Sequence, residues 1–369
     1  MKFRCERDVL VEALNTVSRA VASRGNPLPV LSGVRMQVAG DRLRLAGSDL
    51  DLTIQTQTTV AGSADGVAVL PGLVREIVRA LEPGAVDVES SSDEAVISSG
   101  RSQFTMRVLP AEEYPKLPEP APDAVTLAAA DFAEALRQVV PAASHDIDRP
   151  VLTGVLVAAE GSGLRLVATD SYRLAVRDLP GTSVLREGQK VLVPSRALGE
   201  LGRLLAGADE VTLHLAEKEA TFDVGTVDGV PAIRLTTRLI EGEFPNYRQL
   251  IPASYPNRLV VGKAPLLDAL RRVKLLALEA TPVRLSLRPD GLELTAIAQE
   301  VGQAREEVDA KYEGGELVVA FNPEFLIAGL EAVEGDEVAL ETLDALKPAT
   351  IRANEGSTYV YLLMPVRVS

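Results

Sequence analysis

Tryptophan is absent from this chain of 369 residues, cysteine occurs once and histidine twice. One cysteine, Cys5, excludes an intramolecular disulfide framework and fits a reducing compartment. Cys5 opens a strand-like segment and is expected to be buried rather than nucleophilic. His145 and His214 stand in no pattern of Cys, His or carboxylate with metal-ligand spacing, so no metal and no cofactor is expected. There is no G-x-x-x-x-G-K-[ST] phosphate loop and no G-x-S-x-G elbow. Asp170 adjoins Ser171 without a histidine base. No apolar run approaches the ~18 residues of a membrane span. The opening MKFRCERDVL alternates charged and apolar residues, unlike a signal peptide. These absences predict a soluble cytoplasmic protein without catalytic machinery. Basic residues are also in deficit, 38 against 52 acidic, for a net charge of −14. A total of that sign argues against polyanion binding, although a basic face can hide inside an acidic sum.

What the chain has is repetition. LVEALNTV is followed by LPVLSGV, FAEALRQV by RPVLTGV, and LLDALRRV by TPVRLSL. The first elements begin at Leu10, Phe132 and Leu266, spaced by 122 and 134 residues. That period is too long for a solenoid repeat and is the size of a small domain. The copies also agree face by face. Leu10, Leu14, Val17 and Val21 recur as Phe132, Leu136, Val139 and Ala143, and as Leu266, Leu270, Val273 and Ala277. This is one stripe of an α-helix. Asp8 and Asp131 are expected to precede the first two of these helices as caps, and Pro265 to stand in the first turn of the third.

A second helix is led by Pro71, Pro194 and Pro323. Its apolar stripe is Val74, Val78 and Leu81, then Ala197, Leu201 and Leu204, then Leu326, Leu330 and Val333. Gly84, Gly207 and Gly335 supply stop signals. Alternating segments complete each copy: RLRLAG, GLRLVATD and GLELTA after the first helix, and AVDVE, EVTLHL and EVALE after the second. The proline-rich joints 109–123 and 244–257 separate the copies, giving domains 1–122, 123–252 and 253–369. A helix with one apolar stripe needs a sheet to lie on, so each copy reads as an α+β module of two helices on an antiparallel sheet. The opposite helix faces then look outward. They carry Arg19, Arg75, Arg79, Arg137, Arg196, Arg203, Arg271, Arg272 and Lys274, which makes the helical layer the candidate basic face.

The whole chain resembles the bacterial β sliding clamp, the β subunit of DNA polymerase III. The likeness runs from MKFRCERD through LPVLSGV, GSDLDLTI, SGRSQFTMRVLPAEEYPKLP, RPVLTGV, VATDSYRLAV and TRLIEGEFPNYRQLIP to MPVRVS. TPVRLSL and VLTGV are similar to actinobacterial members. The resemblance implies three clamp domains per chain and a head-to-tail homodimer forming a ring of six modules, helices inside and sheets outside. It implies a processivity factor that encircles double-stranded DNA without reading sequence. Its partners would be the polymerase α subunit, the clamp loader, and other polymerases and repair proteins bearing short peptide motifs; no membrane is involved.

The family's peptide pocket maps onto Arg149 and Leu152, then Thr169, Ser171, Tyr172, Arg173 and Leu174, then Pro245 and Leu250, then Asn322 and Phe325, and the tail Leu363, Met364, Pro365, Val366 and Arg367. Leu, Pro, Met and Val would form apolar walls, and the arginines would fix polar groups of a peptide. Arg24 matches a DNA contact, whereas Leu73 and Asp146 stand where basic and polar contacts can occur. Phe104 and Met106 are expected to meet Leu275 and Leu276 of a second chain at the dimer seam. Two other readings remain open from the residues: an enzyme with an interdomain active site, and a clamp paralogue with a specialised role such as tolerance to a clamp-directed inhibitor.

Overall fold

The computed structural model describes residues 1–23, 25–160, 163–181, 188–277, 281–298, 301–356 and 358–367. Among them are six α-helices: α1 (Arg7–Ser18), α2 (Leu73–Ala80), α3 (Ala129–Val139), α4 (Ser195–Leu204), α5 (Lys263–Lys274) and α6 (Pro323–Ala332). The order of elements is the same three times. A strand leads into a helix, three strands follow, then one or two more, then the second helix and a final three strands.

The start of each copy is built one way. The first helix leaves its strand with no break, and its first N–H donates to a carbonyl in the turn that follows the second helix. These bonds are Arg7 N to Gly84 O (2.8 Å), Ala129 N to Asp209 O (2.9 Å) and Lys263 N to Asp336 O (2.7 Å). The turns themselves pass through Gly84, Gly207 and Gly335 at positive φ, which glycine adopts without strain. This backbone bond corrects the expected caps. Asp8 and Asp131 lie inside the first turn rather than before it, and Glu6 at the α1 N-cap makes no side-chain cap bond. A helix whose first donor is already satisfied by a carbonyl has less need of a capping side chain.

Contacts divide the chain into two compact units, residues 1–133 with 196–239 and residues 134–195 with 240–369. The division passes through the second copy rather than along the joints. The reason is strand pairing. In the first unit, an eight-stranded antiparallel sheet joins the first copy's Leu52–Thr59 to the second copy's Val230–Arg238, with Ile54 opposite Leu235. In the second unit, a nine-stranded sheet joins the second copy's Arg173–Leu179 to the third copy's Tyr359–Leu363, with Val176 opposite Val360. Among the described residues each unit has one further sheet. The five-stranded one ends on Ser102–Arg107, and the four-stranded one ends on Gly302–Val308.

The helical stripes are buried as the periodicity predicts. In the first unit, α1 lays Leu10, Leu14 and Val17 on the strands Arg42–Ser48 and Leu52–Thr59, beside Val74 and Val78 of α2. In the second unit, α5 buries Leu266, Leu270 and Val273 against Gly291–Ala298 and Gly302–Val308, beside Leu326 and Leu330 of α6. Each such side chain stabilises the fold by roughly 1.5–3 kcal/mol relative to exposure. Leu205 is buried just past the end of α4, where Leu204 was expected, and Leu204 is half-exposed.

Gly329 lets α6 sit directly on the Tyr361 ring: a Cβ there would come 2.4 Å from two ring carbons. In an open helix Gly→Ala gains about 1 kcal/mol. At this contact the sign reverses, and Gly329→Ala should lower stability by roughly 1–3 kcal/mol through overpacking. Thermal denaturation followed by circular dichroism checks it, and a raised Tm would refute the contact. The Tyr361 hydroxyl donates to the Phe325 carbonyl at 2.9 Å, and burial pushes its pKa from the ordinary 10 up to about 12. The native state therefore holds this proton more tightly than the unfolded chain. The stabilisation is complete below pH 10 and is lost as pH rises to about 12. Urea titrations across that window should show falling stability, with a shallower fall in Tyr361→Phe.

Candidate functional site

The best-defined constellation lies in the second unit, where the strand Arg173–Leu179 meets Tyr359–Leu363. Arg173 pairs with Leu363 and Leu174 with Leu362. The turn before the first of these strands is held by its own side chains. Thr169 Oγ1 donates to the Arg173 carbonyl at 2.6 Å and accepts from Ser171 N at 3.2 Å. Asp170 Oδ1 accepts from the N–H groups of Tyr172 (2.9 Å) and Arg173 (3.0 Å). Such Asx geometry replaces missing backbone bonds and lets Ser171 take a positive φ of 80°. The turn thereby thrusts Tyr172 outward, 63% exposed.

Arg173 binds this turn to the third copy. Its Nε lies 3.0 Å from Asp170 Oδ2, and its guanidinium sits 4.3 Å from the centroid of the Phe325 ring. Tyr172 stacks on the same ring with centroids 6.5 Å apart. Phe325 is placed by the α6 N-cap, where Asn322 Oδ1 accepts from Glu324 N (2.9 Å) and Phe325 N (3.2 Å). The tail is pinned on both sides: Met364 N donates to the Tyr172 carbonyl at 2.9 Å, and Val366 N donates to the Ala320 carbonyl at 2.8 Å. Arg149 reaches the turn from outside, donating to Ser171 Oγ at 3.0 Å while pairing with Asp146 at 2.8 Å. That pair holds the Asp146 carboxyl below its ordinary pKa, through the Arg149 hydrogen bond and then the Asp148 N–H.

Next along these strands, Leu174 and Leu362 belong to a buried cluster with Leu156, Val167, Val176, Leu192 and Tyr247, against which Phe244 and Ile251 of the second joint pack. Leu152 and Leu363 are buried, and Pro365 is half-buried. Pro245, Leu250, Met364, Val366 and Arg367 are exposed, with Leu250 at 50% and Met364 at 42%. An apolar surface with a methionine, an aromatic pair and a fixed guanidinium can take an extended peptide. Reading the sequence singled out the residues of this surface but not what organises them. Asp170 is the main omission, and its spacing of three residues from Arg173 was the available signal.

The helix-face cations are placed differently from a bare basic lining. In the first unit Arg19 and Arg203 both pair with Glu200 (2.8 and 2.5 Å), Arg196 with Asp49 (2.6 Å) and Arg75 with Glu76. In the second unit Arg271 pairs with Glu331 (2.8 Å), Arg272 with Glu306 (2.8 Å) and Lys274 with Glu324 (2.6 Å). Arg137 binds Glu134 and donates to the Glu331 and Ala332 carbonyls at the end of α6. Arg79 is exposed and makes no ion pair among the described residues. Arg24 lies outside the described residues, and Leu73 is 51% exposed at the start of α2. Of the chain's 38 basic and 52 acidic residues, the six helices carry ten and nine, leaving 28 and 43 elsewhere. The helical layer is thus near neutral while the rest is strongly acidic.

Phe104 is 40% exposed and Met106 half-buried on the edge strand Ser102–Arg107. Leu275, just past α5, is 80% exposed, and Leu276 is half-buried. His214 is structural: its Nδ1 lies 2.8 Å from the Ala121 carbonyl and its Nε2 lies 3.3 Å from Asp223, which also binds Arg234. Cys5 is buried, and desolvation raises its thiol pKa. Among the described residues no group of three or more His, Cys, Asp or Glu could hold a metal ion, and no helix is long and apolar enough to cross a membrane.

Comparison with known proteins matches the N-terminal, central and C-terminal domains of the DNA polymerase III beta subunit to residues 1–118, 126–246 and 248–367. The beta sliding clamp of Streptomyces coelicolor is 36% identical over 382 residues, covering all of both chains. That of Staphylococcus aureus is 33% identical and covers 100% of this chain and 99% of its own length. Among solved structures, the DNA polymerase sliding clamp of Bacillus subtilis superimposes with a TM-score of 0.92 at 30% identity, all of each chain covered. A clamp from Bartonella birtlesii bound to griselimycin gives a TM-score of 0.92 at 29% identity, again over all of both chains. With three matching domains and full-length relatives above 30% identity, the chain belongs to the bacterial β sliding clamp family, the β subunits of DNA polymerase III.

Proposed function

We propose that this sliding clamp encircles duplex DNA as a head-to-tail dimer and tethers replication and repair proteins in the cytoplasm, without chemistry of its own. The domains would run 1–122, 123–252 and 253–369. The observation that carries the dimer is the rule followed by both internal sheet junctions. In each, the third strand after one copy's second helix pairs with the third strand after the preceding copy's first helix. Two strands of those types are left at sheet edges: Ser102–Arg107 of the first copy and Gly302–Val308 of the third. Pairing them between two chains repeats the internal junction and closes a ring of six modules. Phe104 and Met106 would then face Leu275 and Leu276 of the other chain.

Duplex DNA would pass along the helical layer. Arg24, Arg75, Arg79, Arg137, Arg196, Arg203, Arg271, Arg272 and Lys274 are the candidate phosphate contacts. The carboxylates already beside most of them support a weak, sequence-independent contact, which suits sliding. Polymerases, the clamp loader and repair proteins would dock short peptides on the Tyr172–Arg173–Phe325 surface and the pinned tail. Polymerase synthesis on primed circular DNA, with the loader present, should lengthen on adding the protein. A folded, dimeric protein giving no such stimulation would sink the proposal.

Two substitutions separate the two surfaces. Phe104→Asp puts a charge into the seam and should shift the sedimenting species from dimer to monomer, with the far-ultraviolet spectrum retained. Met364→Ala with Leu250→Ala removes two exposed apolar contacts, each costing about 1–2 kcal/mol of a hot-spot contact. Polymerase-peptide binding should weaken by roughly tenfold or more, and the dimer should persist. Monomerisation of that double variant would show that the pocket is misassigned.

A further inference from the structure

The first unit holds a cleft that the clamp function leaves unused. It opens on the outer face of the eight-stranded sheet, at the junction of the first and second copies, with a volume of about 230 Å³. Strand register builds its floor. Across four strands Arg35 stands opposite Ala46, Ala46 opposite Gln55, and Gln55 opposite Arg234. The next row is Gln37, Arg44 and Gln57. Ala46 is the small residue at the base, 2% exposed, and the cleft opens between the longer side chains around it. Leu117 of the first joint and Pro231 give it an apolar side.

The corresponding row in the second unit is Leu156, Val167, Val176 and Val360, in the same strand-by-strand register. There the residues are apolar and covered by Tyr247 and Phe244. At the first junction, arginine replaces the leucine and glutamine the valine. Arg234 is neutralised by Asp223 at 2.6 and 2.8 Å. Arg35 is not: its one hydrogen bond among the described residues goes to Gln37 Oε1 at 3.2 Å, and burial lowers its pKa. Arg44 is exposed and has no hydrogen bond or ion pair among the described residues. A half-buried guanidinium without a carboxylate is costly for the free protein, and an anion offsets that cost.

We propose that this cleft binds a short acidic peptide segment of a partner protein, with a carboxylate on Arg35 and Arg44 and a neighbouring apolar side chain on Leu117 and Pro231. The volume falls below the ~300–1,000 Å³ of sites for drug-sized ligands, and it suits one or two side chains of an extended chain. Gln57 is held by Arg42 and the Pro231 carbonyl and Gln37 accepts from Arg35, but the Gln55 side chain has no hydrogen bond among the described residues, and its amide both donates and accepts, as a peptide backbone requires. The analogy to a peptide surface rests on the reading of the second-unit pocket; the unpaired arginines do not.

The test uses the full-length protein and a fluorescent acetyl-Glu-Leu-Asp-Leu-amide probe, followed by anisotropy. Saturable binding is expected, weakened by about tenfold or more in Arg44→Glu and unchanged in Met364→Ala with Leu250→Ala. Arg44 is exposed, so its substitution should leave the melting temperature in place. Equal affinity in Arg44→Glu, or no binding at millimolar probe, overturns the proposal. Loss of binding in the Met364 and Leu250 variant places the probe in the other pocket, which overturns this site and leaves the clamp reading standing. Inorganic phosphate or a single-stranded oligonucleotide that displaces the probe more strongly than unlabelled peptide overturns the peptide assignment.

Discussion

Backbone pairing between copies is the constraint on which the rest of this molecule depends. The helical stripes and the start-of-copy bonds could have given three separate modules. Instead the edge strand of one copy completes the sheet of the next, at Leu52–Thr59 with Val230–Arg238 and at Arg173–Leu179 with Tyr359–Leu363. Edge strands carry unsatisfied backbone donors and acceptors, and pairing removes that liability. It also sets the register of everything on the sheet face. Tyr172 and Arg173 meet Phe325, and Met364 bonds to the Tyr172 carbonyl, where Arg173 stands opposite Leu363. The same rule leaves two strand edges open, which would be the physical drive for the proposed association of two chains.

The charge distribution has a consequence for how such a clamp holds DNA. A lining of free cations would release many counterions on binding phosphate and grip with a steep salt dependence. Here most outward helical cations stand within 3 Å of a carboxylate. For a phosphate to replace that carboxylate gains little net electrostatic energy. Exposed ion pairs contribute only about 0–1 kcal/mol each, so they exchange freely. A near-neutral helical layer, if it faces the duplex as proposed, would leave the duplex confined by topology without fixing it to one position.

The helices were legible because aliphatic residues at intervals of four and three leave a stripe that survives in every copy. Leu10, Leu14 and Val17 needed only the period. The strands were legible where residues alternate, as in GLRLVAT. Which copies share a sheet was not, because pairing between residues 52–59 and 230–238 is a non-local contact with no local signature. The ion pairs failed for the same reason. Glu200 is 181 residues from Arg19, and Asp49 is 147 from Arg196, so sequence showed the sign of each charge but not its neighbour. The caps failed differently. Asp8 and Asp131 have the composition of capping residues, but a carbonyl from a distant turn reaches the first helical N–H before any side chain is needed. The candidate pocket residues came from the family likeness, while the turn that presents Tyr172 and Arg173 is held by Asp170, which the likeness did not supply.

The two internal junctions show why a repeated frame need not repeat a function. Backbone hydrogen bonds fix the strand pairing regardless of side chains, so the outward face can change its chemistry at little cost to the fold. One junction presents Leu156, Val167, Val176 and Val360 and requires an apolar cover, which the second joint provides through Phe244 and Tyr247. The other presents Arg35, Ala46, Gln55 and Arg234, and its joint brings Leu117 over an open cleft. The first joint also buries Tyr114, against Val30, Leu31 and Val69, and the Tyr114 hydroxyl donates to the Ala46 carbonyl of that row at 3.4 Å. A joint that covers an apolar row shapes a surface beside it, and a joint that touches a polar row only through Tyr114 and Leu117 leaves its arginines open. The difference lies in four side chains per row, on strands that the backbone pairs in the same way.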